Sequence, residues 1–133
     1  SYSPIARGVL TGKYLPGQAP QEGTRAARGD RRMSETEFRE ESLQIAQTLK
    51  QHAEQRGISL AQFATAWVLA HRAISSVIAG PRTLAQWQDY FPALDYVVTP
   101  EDEQLVNELV APGHPSTPGY TDPAYPLSPR RRG

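Results

Sequence analysis

The 133-residue chain has no cysteine. Disulfide staples and thiolate metal sites are therefore excluded, and a reducing, cytoplasmic setting suits the composition. It has no apolar run of membrane-spanning length and no secretory leader pattern, so no membrane partner is expected. It has no excess of either charge, with 14 basic against 14 acidic residues. No basic field exists to drive nucleic-acid binding, and nucleic acid is not expected as a partner. The Arg130-Arg131-Arg132 run lies at the end of the chain and is expected to be disordered. Apolar residues make up 38%, below the usual share of about 45–50%. The shortfall sits in residues 16–32 and after Pro112, so the middle of the chain retains enough apolar residues for a core.

What is present alternates. Residues 1–15 read as a strand end followed by a glycine-punctuated loop, and residues 16–33 as a long Pro/Gly/Arg loop. Ser34 with Glu37 predicts a capping box. From it a helix runs with Phe38, Ser42, Ile45, Leu49 and Ala53 on one face, closed by Gly57 as a left-handed residue. Ser59 with Gln62 opens a second helix, 60–70, apolar on nearly every side and expected to be deeply packed, with Trp67 in the core. Ile74 to Ala79 reads as a buried parallel strand. Thr83 with Gln86 caps a short helix reaching about Phe91, on which Trp87 reads as helix packing in preference to a partly exposed ring. Thr99-Pro100, followed by acids, opens a last helix whose buried stripe is Leu105, Val106, Leu109 and Val110. The Pro-rich segment after it either wraps a surface or stays loose. The charges Arg31, Arg32, Glu35, Glu37, Arg39, Glu40 and Glu41 read as a solvated helix start. No spacing of His and carboxylates indicates a metal site.

Strand–helix–strand order argues for α/β architecture. One and a half strands cannot complete a sheet, so the chain is expected to be the end of a longer fold. Two segments carry chemistry. In Tyr2-Ser3-Pro4-Ile5-Ala6-Arg7-Gly8-Val9-Leu10-Thr11-Gly12-Lys13-Tyr14, glycines allow close backbone approach to a ligand. In Ser76-Val77-Ile78-Ala79-Gly80-Pro81-Arg82-Thr83-Leu84-Ala85-Gln86, a strand runs into a cation and a helix start, a combination suited to an anion.

These two segments, in this order and with these helices between them, resemble the regions after the seventh and eighth strands of aldo-keto reductases. The resemblance covers about residues 1–111, leaving 112–133 as a Pro-rich tail. It implies the C-terminal part of a TIM (β/α)8 barrel, running from the end of strand seven through strand eight to the last helix and tail. It implies NADPH-dependent reduction of aldehydes or ketones, with a small-molecule carbonyl compound as substrate. The family's tetrad of Asp, Tyr, Lys and His lies upstream of the matching region, so no residue here is assigned a catalytic role. His52 and His71 fall on helices and His114 in a loop, none at a strand end.

The resemblance implies cofactor contacts at Ser3, Pro4, Ile5, Gly8, Leu10 and Lys13 in the first segment, and at Arg25 in the long loop. It implies others at Gly80, Arg82, Gln86 and Tyr90. Arg82 is a planar, permanently charged fork suited to a 2′-phosphate, which favours NADPH over NADH. Gln86 has two compatible roles, capping the helix and touching adenine or ribose. Many relatives carry Asn where this chain has Tyr90, and Pro81 removes an amide donor. The competing function is a non-catalytic, truncated nucleotide-binding or protein-interaction module. A helix-turn-helix regulator is disfavoured by the neutral charge and the intervening strand.

Overall fold

A computed structural model describes residues 1–126, so the Arg130-Arg131-Arg132 run lies outside the described residues. Among the described residues five α-helices carry the fold: α1 (Arg31–Thr36), α2 (Glu40–Gln55), α3 (Leu60–Ala70), α4 (Leu84–Gln88) and α5 (Pro100–Leu109). Two 3₁₀ segments, Ala6–Thr11 and Phe91–Leu94, complete the regular structure. No helix among the described residues is long and apolar enough to cross a membrane.

The expected helix from Ser34 to Gly57 is two helices. Asp30 caps α1, accepting from the Met33 amide at 2.9 Å, while Ser34 Oγ donates back to the Asp30 carbonyl. Met33 is fully buried, which draws the helix start forward from Ser34. The chain then bends at Glu37, whose carboxylate pairs with Arg7 rather than capping. Within α2 the buried face is Ser42, Leu43, Ala46, Leu49 and Ala53; Phe38 and Ile45 pack at its edge. Arg56 and Gly57 end the helix, Gly57 at φ +77°, a conformation that favours glycine.

α3 opens with a full capping box between Ser59 and Gln62. Its first seven residues are buried, but Trp67, Val68 and Leu69 are only half-buried and Ala70 is exposed. Trp67 is thus not a core residue: its indole N–H donates to Glu103 Oε2 at 2.7 Å. The core is the layer where Val9, Tyr14 and Met33 meet Leu43, Ala46 and Leu49 of α2 and Leu60 and Phe63 of α3.

The expected buried strand 74–79 is not formed. A single parallel bridge joins Tyr2 to Ile78, with the Ile78 amide donating to the Ser1 carbonyl at 2.7 Å, and Ile78 is 71% exposed. Burying a central strand takes a partner on each edge, and among the described residues only 1–3 run beside it, for a single bridge. α4 is shorter than expected, ending at Gln88 before the 3₁₀ segment. Trp87 is 47% exposed and meets Phe91 edge to face at 5.4 Å.

α5 is capped as read, with Thr99 and Asp102 in a reciprocal box and Pro100 in the first turn. Leu105, Val106 and Leu109 pack against the core. Asp102 is fully buried and accepts from the Tyr96 hydroxyl (2.8 Å) and the Thr99 amide (2.8 Å). The His52 ring meets the same carboxylate at 2.6 Å, and Arg56 Nε lies 3.7 Å away. α2 and α5 are therefore tied through one carboxylate.

Candidate functional site

The Tyr2–Ile78 bridge sets the two glycine-bearing segments side by side. Between them opens a cleft of about 370 Å³. Ser3, Pro4, Ile5, Gly8 and Lys13 line it from the first segment, and Gly80, Arg82, Gln86 and Tyr90 from the second. Arg25 reaches it from the long loop. Leu10 does not: it lines a second, apolar groove of about 300 Å³ with Val9, Leu49, Phe63 and Val106. The segment is kinked by positive φ at Arg7 and Gly8, and Leu10 leaves it on the side of the apolar groove rather than the cleft.

The first wall is a tightly wound loop. Ser3, Ala6 and Arg7 have φ of 53°, 46° and 53°, and Gly8 has φ 98°. Positive φ at non-glycine residues is costly and concentrates at sites where backbone shape matters to a ligand. The loop holds itself by bonds from Ala6 to Ser3, Gly8 to Ile5 and Gly12 to Val9, and by the Thr11 hydroxyl to the Gly8 carbonyl. Gly12 is fixed twice: φ is +70°, and a Cβ there would stand 2.6 Å from Lys50 Cδ. The Lys13 side chain folds back toward Gly8 and lies 5.1 Å from the Tyr14 ring centroid.

The second wall is the start of α4. Thr83 Oγ1 accepts from the Gln86 amide at 3.2 Å. The Gln86 side chain accepts from the Arg82 amide at 2.7 Å rather than from Thr83, so the expected box closes one residue early. That bond fixes the backbone at Arg82, whose side chain pairs with no carboxylate of the described residues. Burial, with the neighbouring Asp89 charge, pushes the Tyr90 hydroxyl above its ordinary value, so it remains a neutral donor.

Four cations line the cleft: Arg7, Lys13, Arg25 and Arg82. Asp89 lines it too and accepts from Gln62 Nε2 at 2.7 Å. Arg7 and Asp89 were not singled out from the sequence. Arg7 stands out only once its Nε is seen 3.0 Å from Glu37, thirty residues on. The charge run at 31–41 is correspondingly paired rather than simply solvated: Arg31 and Arg32 with Glu35, Arg32 with Asp122, and Arg39 over the Tyr120 ring. The arrangement can bind an extended, multiply anionic ligand, with backbone amides and hydroxyls beside point charges. Among the described residues no cluster of His, Asp and Glu is arranged to hold a metal.

The sequence profile of the aldo/keto reductase family matches residues 1–111. A probable voltage-gated potassium channel subunit beta of Oryza sativa subsp. japonica is 33% identical over 122 residues, 90% of this chain and 37% of that protein. L-glyceraldehyde 3-phosphate reductase of Escherichia coli O157:H7 is 30% identical over 116 residues, 85% of this chain and 33% of the enzyme. An uncharacterized oxidoreductase of Bacillus subtilis (strain 168) is 30% identical over 125 residues, 94% of this chain and 34% of that protein. The chain thus spans about a third of the length of the curated relatives it matches.

Proposed function

The chain belongs to the aldo/keto reductase family, and from that premise we propose that it supplies the dinucleotide-phosphate site of an NADPH-dependent oxidoreductase that reduces aldehydes or ketones. On this reading residues 1–111 are the C-terminal part of a TIM barrel, and the cleft sits at the strand ends where such barrels bind phosphate. The supporting observation is the convergence of two glycine-bearing corners on one cleft lined by four cations.

The donor set fits such a group. The Ser3 hydroxyl and the loop around Ile5 and Gly8 face the place for a pyrophosphate, with Lys13 and Arg25 as counter-charges. Arg82, held at the backbone by Gln86 and without a carboxylate partner among the described residues, has a guanidinium suited to clamping a phosphate monoester. The Tyr90 ring, which stays neutral, offers a stacking face and a donor for the base. NADPH, when bound, supplies the hydride to the carbonyl carbon. This chain's residues bind and orient; proton transfer to the carbonyl oxygen is assigned to none of them.

Arg82→Ala in the full-length protein tests the reading. NADPH binding should weaken by about 1.5–3 kcal/mol, the value of a hydrogen bond to a charged group. NADH binding should change little. Titration of both cofactors by fluorescence checks this, and equal weakening would show that Arg82 does not read the 2′-phosphate.

A second reading, a nucleotide-binding module acting through protein contacts, draws support from the Oryza sativa relative's name as a channel subunit. Exposed Leu84, Phe91 and Leu94 add to it. Carbonyl-dependent NADPH oxidation by the full-length protein decides against it.

A further inference from the structure

The described residues after α5 are neither loose nor idle. Five of them fasten onto α1 and the start of α2. Asp122 takes a two-pronged contact from Arg32, at 2.6 Å and 3.3 Å, and the Tyr120 hydroxyl donates to the Glu35 carbonyl at 2.7 Å. Arg39 lies 3.8 Å from the Tyr120 ring centroid and donates to Ser116 Oγ at 3.0 Å. Ser116 also meets Ser42 at 2.7 Å, and Thr117 reaches Glu41 at 3.3 Å. Tyr125 lies under the Arg32 guanidinium at 5.8 Å.

α1 is what these contacts hold, and α1 holds the cleft. Its two caps are acidic, and each grips a cleft arginine. Asp30 at the N-cap is 3.5 Å from Arg25, and Glu37 at the C-cap is 3.0 Å from Arg7. Both arginines line the anion cleft. A helix of six residues has little stability of its own. What fixes it is Met33 below, fully buried, and the strap above. Arg32 and Glu35, which face the strap, also pair with each other at 3.2 Å.

We propose that residues 116–125 are a positioning strap: by clamping the outer face of α1 they set Arg25 and Arg7 for the anionic ligand, although they do not line the cleft. The proposal rests on the nucleotide reading for the ligand's identity and on the contacts alone for the strap.

Tyr120→Phe with Asp122→Asn removes the hydroxyl and the charge while keeping both shapes. In the full-length protein without nucleotide, amide hydrogen exchange over residues 22–37 should accelerate about fivefold, while α3 amides keep their rates. With NADPH, the dissociation rate should rise by a similar factor. In an Arg7→Ala, Arg25→Ala background the strap substitutions should add nothing further, because the side chains they position are gone. Unchanged exchange over 22–37 overturns the strap. So does a rise in dissociation rate that persists undiminished in the arginine-free background. Should the unsubstituted protein bind no NADPH, the nucleotide reading fails, and the exchange measurement still decides whether the strap orders α1.

Discussion

Tyr14 is 3% exposed, packs edge to face on Phe38 at 5.2 Å, and buries a hydroxyl with no hydrogen-bond partner among the described residues. An unsatisfied buried hydroxyl costs about 1–3 kcal/mol, whereas the ring itself contributes by area burial and aromatic contact. Tyr14→Phe is therefore expected to leave the protein as stable as before or to stabilise it by about 1 kcal/mol. Urea denaturation checks this; a loss above about 1 kcal/mol would mean that the hydroxyl has a partner in solution. Arg82 is the converse case. It is an exposed group with a fixed backbone and no carboxylate partner among the described residues, so on the proposed nucleotide reading its truncation should be felt in cofactor choice rather than in stability.

Asp102 ties two elements together, and its charge state makes that tie depend on pH. Burial pushes its carboxyl up, but bonds from the Thr99 amide, the His52 ring and the Tyr96 hydroxyl outweigh burial and hold it down to about 2. A carboxyl held low in the folded state contributes stability above its unfolded value, near pH 4, and loses it as pH falls through about 2. The Tyr96 hydroxyl is pushed up to about 12, first by burial and then by its bond to Asp102. Its contribution is whole below about pH 10 and fades as pH rises through 12. Asp102→Asn should cost about 3 kcal/mol at neutral pH and flatten the acid limb of a stability–pH curve. A variant that keeps the acid limb unchanged would place the responsible carboxyl elsewhere.

Elements with local signals were legible in the sequence. Ser59 with Gln62 and Thr99 with Pro100 each fix a helix start through atoms three residues apart, and Gly57 ends one by its own conformation. Ser34 misled because Asp30, Met33 and Arg7 decided the matter: a competing cap, a core-filling side chain and an ion pair across thirty residues. Ten of the eleven proposed contact residues lie on one cleft, since motif spacing follows the chain into its loops; Leu10 turned away because positive φ at Arg7 and Gly8 kinks the segment, which residue spacing alone does not reveal. Arg7 and Asp89 were illegible because their place depends on Glu37 and Gln62, far off in sequence.

At the scale of the whole molecule the described residues leave apolar surface uncovered. Ile78, Leu84, Leu94 and Val97 are 71%, 70%, 69% and 80% exposed, and an apolar groove opens between α2, α3 and α5. Residues 1–133 should therefore bind a hydrophobic dye and associate. A monomeric, dye-silent chain would contradict that expectation.

The one bridge between Tyr2 and Ile78 also has a kinetic side. Its partners stand far apart along the chain, and closing so wide a span is slow relative to winding α2 and α3, whose contacts are local. The two walls of the anion cleft should thus meet late, after the helical layer has settled. Pulse-labelling during refolding should find α2 and α3 amides protected before that of Ile78. A newly made chain would then pass through an interval in which it is largely helical yet unable to grip a phosphate.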